Sequence, residues 1–85
     1  MKARNHLIMR KGYAPAHDVA TATTKALSTI HRLADAGAFE VLRDGRALYV
    51  KLASAEAYFR AEGVAPLGDA IAKLARTVAK EVFPA

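Results

Sequence analysis

Apolar positions near the end of the chain follow a helical period. They recur in steps of four, three, four and four residues: Leu67, Ile71, Leu74, Val78 and Val82. This spacing predicts an amphipathic helix over residues 67–83, entered at Pro66.

Two shorter helices are predicted upstream, over residues 15–22 and 27–36. Pro15 suits a first helical turn, and Val19 and Ala20 are expected to point inward. Threonines are better caps than helix formers, so the stretch over residues 21–24 predicts a turn between the two helices.

The second helix of this pair has an apolar face made by Leu27, Ile30 and Leu33. Ser28 is a plausible N-cap, and Gly37 is expected to end the helix.

A β-hairpin is predicted over residues 38–52. Two β-favouring runs flank Asp44-Gly45, a pair typical of type I′ turns. A helix over residues 54–62 follows, with Ser54 as N-cap and Tyr58 and Phe59 as apolar anchors.

The beginning of the chain fits two structures. Residues 3–11 could form either a short helix ending at Gly12 or a strand around residues 7–9.

The net charge of +5 is unevenly distributed over the 85 residues. Residues 1–51 carry nine Lys and Arg against four acids, whereas residues 52–85 carry four of each. We therefore expect the first part to face a polyanion such as nucleic acid, and the second part to face something else.

Composition excludes several classes of function. Without cysteine there is neither a disulfide framework nor a thiolate metal site, and the three histidines (6, 17 and 31) lack metal-ligand spacing. No arrangement of catalytic residues stands out, and no apolar stretch approaches the ~20 residues of a membrane span. With no secretory leader either, we expect a cytoplasmic protein that is not an enzyme and uses no cofactor or membrane.

The order helix, turn, helix and basic-tipped hairpin is that of a winged helix-turn-helix, mainly α with a small β-hairpin wing. Val19-Ala20, Ser28-Thr29-Ile30-His31-Arg32-Leu33 and Gly37-Ala38-Phe39 resemble the excisionase/MerR-type motif, with Ala20 to Ile30 ten residues and Ile30 to Gly37 seven. Thr24 occupies the position where that family usually has glycine, and Lys25 one that is usually apolar.

A second register is similar to ArsR- or MarR-type repressors. Residues 26–39, followed by Arg43-Asp44-Gly45-Arg46, match a recognition helix and wing, and the helix then begins nearer Thr23. The metal-binding cysteines of ArsR proteins are absent, so metal sensing does not carry over.

The resemblance implies that double-stranded DNA is the partner, contacted by a recognition helix in the major groove and by the wing on the flanking backbone. The expected contacts are Lys25, Ser28, Thr29, His31, Arg32, Arg43 and Arg46. The alternatives are an ordinary solvated helix face and a hairpin edge guarded by charge. The basic residues Lys2, Arg4, Arg10 and Lys11 form either a phosphate-contacting arm or a frayed terminus.

The last helix, in residues 64–85, is expected to be a dimerisation element appended to a winged region over residues 1–63. The interface would comprise Leu67, Ile71, Leu74, Val78 and Val82. The alternative is that this stripe packs on its own domain, as any amphipathic helix can.

These features together predict a homodimeric transcriptional repressor at a palindromic operator, of a kind typical of phages and plasmids. The alternatives are an excisionase-like architectural protein that bends DNA, and a winged-helix adaptor that binds protein instead.

Overall fold

Helices dominate the part of the chain that the structure describes, residues 4–84 of a computed structural model. The elements follow in the order α1 (His6–Met9), β1 (Tyr13–Pro15), α2 (Ala16–Thr23), α3 (Leu27–Asp35), β2 (Val41–Asp44), β3 (Ala47–Lys51), α4 (Leu52–Ala61) and α5 (Ala65–Val82). The strands form one antiparallel sheet in the order β1-β3-β2. The predicted mainly α class with a small hairpin is thus confirmed, and the arrangement is compatible with a winged-helix-like fold.

The central strand β3 is covered on both faces. Leu48, Tyr49 and Val50 are all buried, although successive side chains of a strand point to opposite faces. Strand β1 pairs with β3 from Tyr13↔Lys51 to Pro15↔Tyr49. Strand β1 was not predicted, since it has only three residues and ends in a proline, a residue confined to edge strands or strand ends.

The hairpin turn differs from the predicted one. Asp44 pairs with Ala47, so Gly45 and Arg46 form the two-residue loop. Gly45 has φ +60°, whereas neither Asp44 nor Arg46 has a positive φ. A positive φ at the first loop residue alone is the pattern of a type II′ turn, so the predicted type I′ turn is wrong.

The predicted pair α2 and α3 is confirmed, with Val19 and Ala20 in the core. Thr24 makes the turn between them in the left-handed region, with φ +55°. Helix α3 begins at Leu27 with Ala26 as its N-cap, so Ser28 is not the cap that the sequence suggested. Leu27, predicted to be on the inner face, is 41% exposed because it begins the helix at the surface.

Helix α4 begins at Leu52, directly after β3 and two residues before the predicted start. Ser54 does not cap it, because its hydroxyl accepts a hydrogen bond from the backbone N–H of Glu40 at 2.9 Å. Of the two predicted anchors, Phe59 is buried and Tyr58 is half-buried, with its ring edge-to-face against Phe39.

Helix α5 packs along α4 and α2 of its own chain. Ile71, Val78 and Val82 are 0%, 3% and 2% exposed, while Leu67 and Leu74 are half-buried. The first three belong to the protomer's own core and have no surface to offer a second copy, which corrects their expected place in a dimer interface.

An ion-pair network ties the start of the described chain to α2 and α5. Arg4 donates to Asp18 at 2.7 and 3.1 Å and to Glu81 at 2.7 and 2.9 Å, and His6 lies 3.0 Å from Glu81. The hydrogen bonds to Asp18 and Glu81 raise the pKa of Arg4 further above its ordinary value. Those from Arg4 hold the pKa of Glu81 below its ordinary value.

Two residues of the expected basic arm, Arg4 and Arg10, are engaged within the chain. Arg4 is neutralised by two carboxylates, and Arg10 donates to the carbonyl of Val82 at 3.2 Å with its guanidinium 5.9 Å from the Phe83 ring centroid. Lys11 is exposed, and Lys2 lies outside the described residues.

Replacing Thr24 by glycine should stabilise the fold. A left-handed L-residue costs roughly 1–2 kcal/mol, and the unfolded-state entropy of glycine takes back about 0.5–1 kcal/mol. We expect Thr24→Gly to raise the free energy of unfolding in urea by about 0.5–1 kcal/mol over Thr24→Ala, which keeps the Cβ atom and serves as control. Equal stabilities of the two variants would contradict the strain.

The network of Arg4 should make stability depend on pH through Glu81. Because its pKa is lowered in the folded state, its contribution is present above the ordinary value of 4.5 and is lost as the pH falls through the folded-state pKa. At pH 7 we expect the free energy of unfolding of Glu81→Gln to lie below that of wild type. The difference should be under about 1 kcal/mol because the pair is partly exposed. The gap should narrow as the pH is lowered from 4.5 through the folded-state pKa of Glu81, and a gap that stays unchanged over the whole acid titration would rule out this contribution.

Candidate nucleic-acid interface

The outward face of α3 carries most of the predicted contact residues. Ser28, Arg32 and Asp35 are exposed, and Thr29 and His31 flank them half-buried. Ile30 and Ala34 are buried on the opposite side, which fixes the rotation of the helix. The side chains predicted to read DNA thus point away from the core.

Lys25 extends this surface at the N-terminal end of α3. It lies in the turn after Thr24 and is exposed, and its backbone N–H donates to the carbonyl of Ala20 at 3.0 Å. Thr23, two residues before Lys25 at the end of α2, is buried. The Thr23 hydroxyl is satisfied by the carbonyl of Val19 at 2.7 Å.

The hairpin is joined to α3 by an ion pair between Arg43 and Asp35. The Nη2 of Arg43 lies 3.1 Å from Oδ1 of Asp35, and both side chains are more than half exposed. The pair places β2 beside the C-terminal end of the outward face. The sequence placed Arg43 on the wing but gave no indication of this partner, eight residues away on another element.

Arg46 occupies the hairpin loop itself and is exposed. Its neighbour Asp44 accepts a hydrogen bond from the side-chain amide of Asn5 at 3.0 Å. The hairpin loop therefore presents the cation of Arg46. The carboxylate of Asp44, just before the loop, is held by Asn5, the N-cap of α1.

Ion pairing leaves a surplus of cations on the described surface. Within residues 4–84, six of the eight acids are in ion pairs, and these engage Arg4, His6, Arg43, Lys51 and Arg60. Lys25, Arg32 and Arg46 have no ion-pair partner there, and each is exposed. The seven predicted contact residues thus lie on α3, the turn before it and the hairpin, with the surplus charge of the site on three of them.

No group of three His, Cys, Asp or Glu side chains in residues 4–84 could hold a metal ion. One groove of about 280 Å³ runs between the turn after α1, the start of α4 and the end of α5, with a mostly apolar floor including Leu52, Val78 and Val82. No α-helix in the described part of the chain is long and apolar enough to cross a membrane.

Comparison with known proteins identifies no relative. No protein-family model matches the chain, and neither a curated protein nor a solved structure matches it. The resemblances to excisionase/MerR-type and ArsR/MarR-type proteins therefore stay predictions.

Proposed function

We propose that this protein is a transcriptional regulator of winged helix-turn-helix type that binds double-stranded DNA. Helix α3 would enter the major groove, which is about 12 Å wide and admits one α-helix. Helix α2 would brace it from behind, and the β2–β3 hairpin would be the wing.

The observation that carries the proposal is the continuous outward surface of Lys25, α3 and the hairpin. It presents the unpaired cations Lys25, Arg32 and Arg46. Its exposed acid on α3, Asp35, is already neutralised by Arg43. A surface of this kind has affinity for phosphates and a helix suited to reading bases.

Different side chains would have different roles. Arg32, central on the exposed face, has the bidentate donor fork that matches guanine O6 and N7. Ser28, Thr29 and His31 offer hydrogen bonds to base edges or phosphate on either side of it. Lys25 and Arg46, at the two ends of the surface, would contact the backbone or minor groove and fix the register.

Repression by a homodimer at a palindromic operator is part of the proposal, although the interface needs revision. Among the five residues expected there, only Leu67 and Leu74 retain surface. Dimer formation would have to use a different surface from the stripe that the sequence suggested.

Arg32→Ala should relax sequence selectivity at the base pair that Arg32 contacts. We expect wild type to bind a selected duplex tightly with a steep salt dependence, and Arg32→Ala to lose about 1–3 kcal/mol of discrimination against single-base changes. Lys11→Ala is the matched control, because Lys11 is exposed and lies two residues before Tyr13 of β1. Tyr13 pairs with Lys51, so Lys11 lies at the end of the sheet away from the hairpin loop. A wild-type protein that binds no duplex at ~50 mM salt would reject the proposal and favour a protein-binding adaptor.

Asp35→Asn should strengthen DNA binding. The change removes a negative charge from the outward face of α3 and releases Arg43 to reach phosphate. We expect tighter binding at every duplex sequence and a steeper salt dependence by about one phosphate contact, with under about 1 kcal/mol lost in stability because the pair is exposed. Unchanged binding would place Asp35 outside the interface and weaker binding would place it in a base contact, and either result would contradict this expectation.

A further inference from the structure

The outer face of α5 carries a second cationic surface, which we call the α5 row: Lys73, Arg76 and Lys80. All three residues are exposed, and their spacing of three and four residues puts them on one side of the helix. Residues 70–80 contain no acid. Thr77, which is also exposed, lies between Arg76 and Lys80 in the sequence.

The nearest acids are occupied elsewhere. Asp69 accepts from Arg60 at 3.0 Å, and Glu56 binds the same guanidinium at 2.9 Å. Glu81 at the other end is engaged by Arg4 and His6. Within the described residues, the α5 row is left with no ion-pair partner, although residues 52–85 are neutral in sum.

The α5 row is held rigidly and adjoins the proposed DNA surface. The opposite side of α5 is anchored in the core by Ile71, Val78 and Val82. Lys73 and Thr77 line a shallow groove together with Ala22 of α2. Ala22 is three residues before Lys25, and Lys25 lies in the turn that leads into α3. The part of the α5 row around Lys73 therefore lies against α2, the helix that leads into the turn of Lys25.

We propose that the α5 row contacts DNA phosphates outside the site read by α3. At 1.5 Å per residue, Lys73 and Lys80 are separated by about 10 Å along the helix, which is close to three nucleotide steps at ~3.4 Å of axial rise each along one strand. The contact is independent of sequence and adds affinity on longer duplexes. This inference rests on the proposed function and extends it to the polar side of α5, the helix whose apolar stripe the sequence pattern had assigned to dimerisation.

A pair of charge-matched double variants tests this inference. Lys73→Gln/Lys80→Gln removes two cations from the α5 row, while Lys11→Gln/Lys51→Gln removes two near the far end of the sheet from the hairpin loop. Each is titrated with duplexes of about 8 and 24 base pairs at several salt concentrations, after circular dichroism has confirmed folding. The protein's longest dimension is 34 Å, which corresponds to about ten base pairs at ~3.4 Å each. The shorter duplex, about 27 Å long, therefore does not reach across the protein, whereas the longer one extends beyond it.

We expect the α5 variant to lose about 1.8 from the slope of log K against log salt on the longer duplex, and roughly fifty-fold in affinity at 0.1 M salt. The loss should be equal for cognate and random sequences, and smaller on the short duplex. If wild type binds specifically and both double variants show the same slope of log K against log salt, this inference alone would be overturned. The α5 row would then be an ordinary solvent-exposed face. No binding by wild type would reject both this inference and the proposed function.

Discussion

The structure depends on burial of the apolar stripe of α5 within its own chain. An 85-residue chain has few large apolar side chains to spare, and Ile71, Val78 and Val82 supply part of one core shared with α2 and α4. Burying side chains of this size stabilises a fold by about 1.5–3 kcal/mol each. Because the stripe is used internally, α5 stiffens α2, which in turn supports α3, and only the polar side of α5 remains for a partner.

Charge pairing then decides which cations face solvent alone. The acids near α5 are drawn into pairs with Arg4, His6 and Arg60, and Asp35 is drawn to Arg43. Exposed pairs of this kind contribute little to stability, but they cancel charge locally. What remains is positive on α3, at the hairpin loop and along α5, so the distribution of charge in space differs from its distribution along the sequence.

Much of the fold was predictable because period and punctuation are local. The helical spacing of Leu27, Ile30 and Leu33 and that of the α5 stripe predicted two helices, and Pro15 with the inward Val19 and Ala20 predicted a third. The Asp44-Gly45 pair predicted the hairpin. Strand β1 was not predictable, since Tyr13-Ala14-Pro15 is too short to show alternation and depends on pairing with β3. The caps assigned to Ser28 and Ser54 failed because the helices begin one or two residues earlier. The contacts of Arg4 with Asp18 and Glu81 span 14 and 77 residues of chain, and no local pattern encodes them.

The central claim is that the outward face of α3 and the hairpin loop form the surface that contacts DNA. Backbone amide chemical shifts of the ¹⁵N-labelled protein, followed during titration with duplex DNA at low salt, test this claim most directly. The account predicts the largest changes over residues 25–36 and 43–47, with smaller ones along the outer side of α5 and little change over residues 9–12 and 52–56. Changes concentrated in those last two segments, with α3 unaffected, would contradict it.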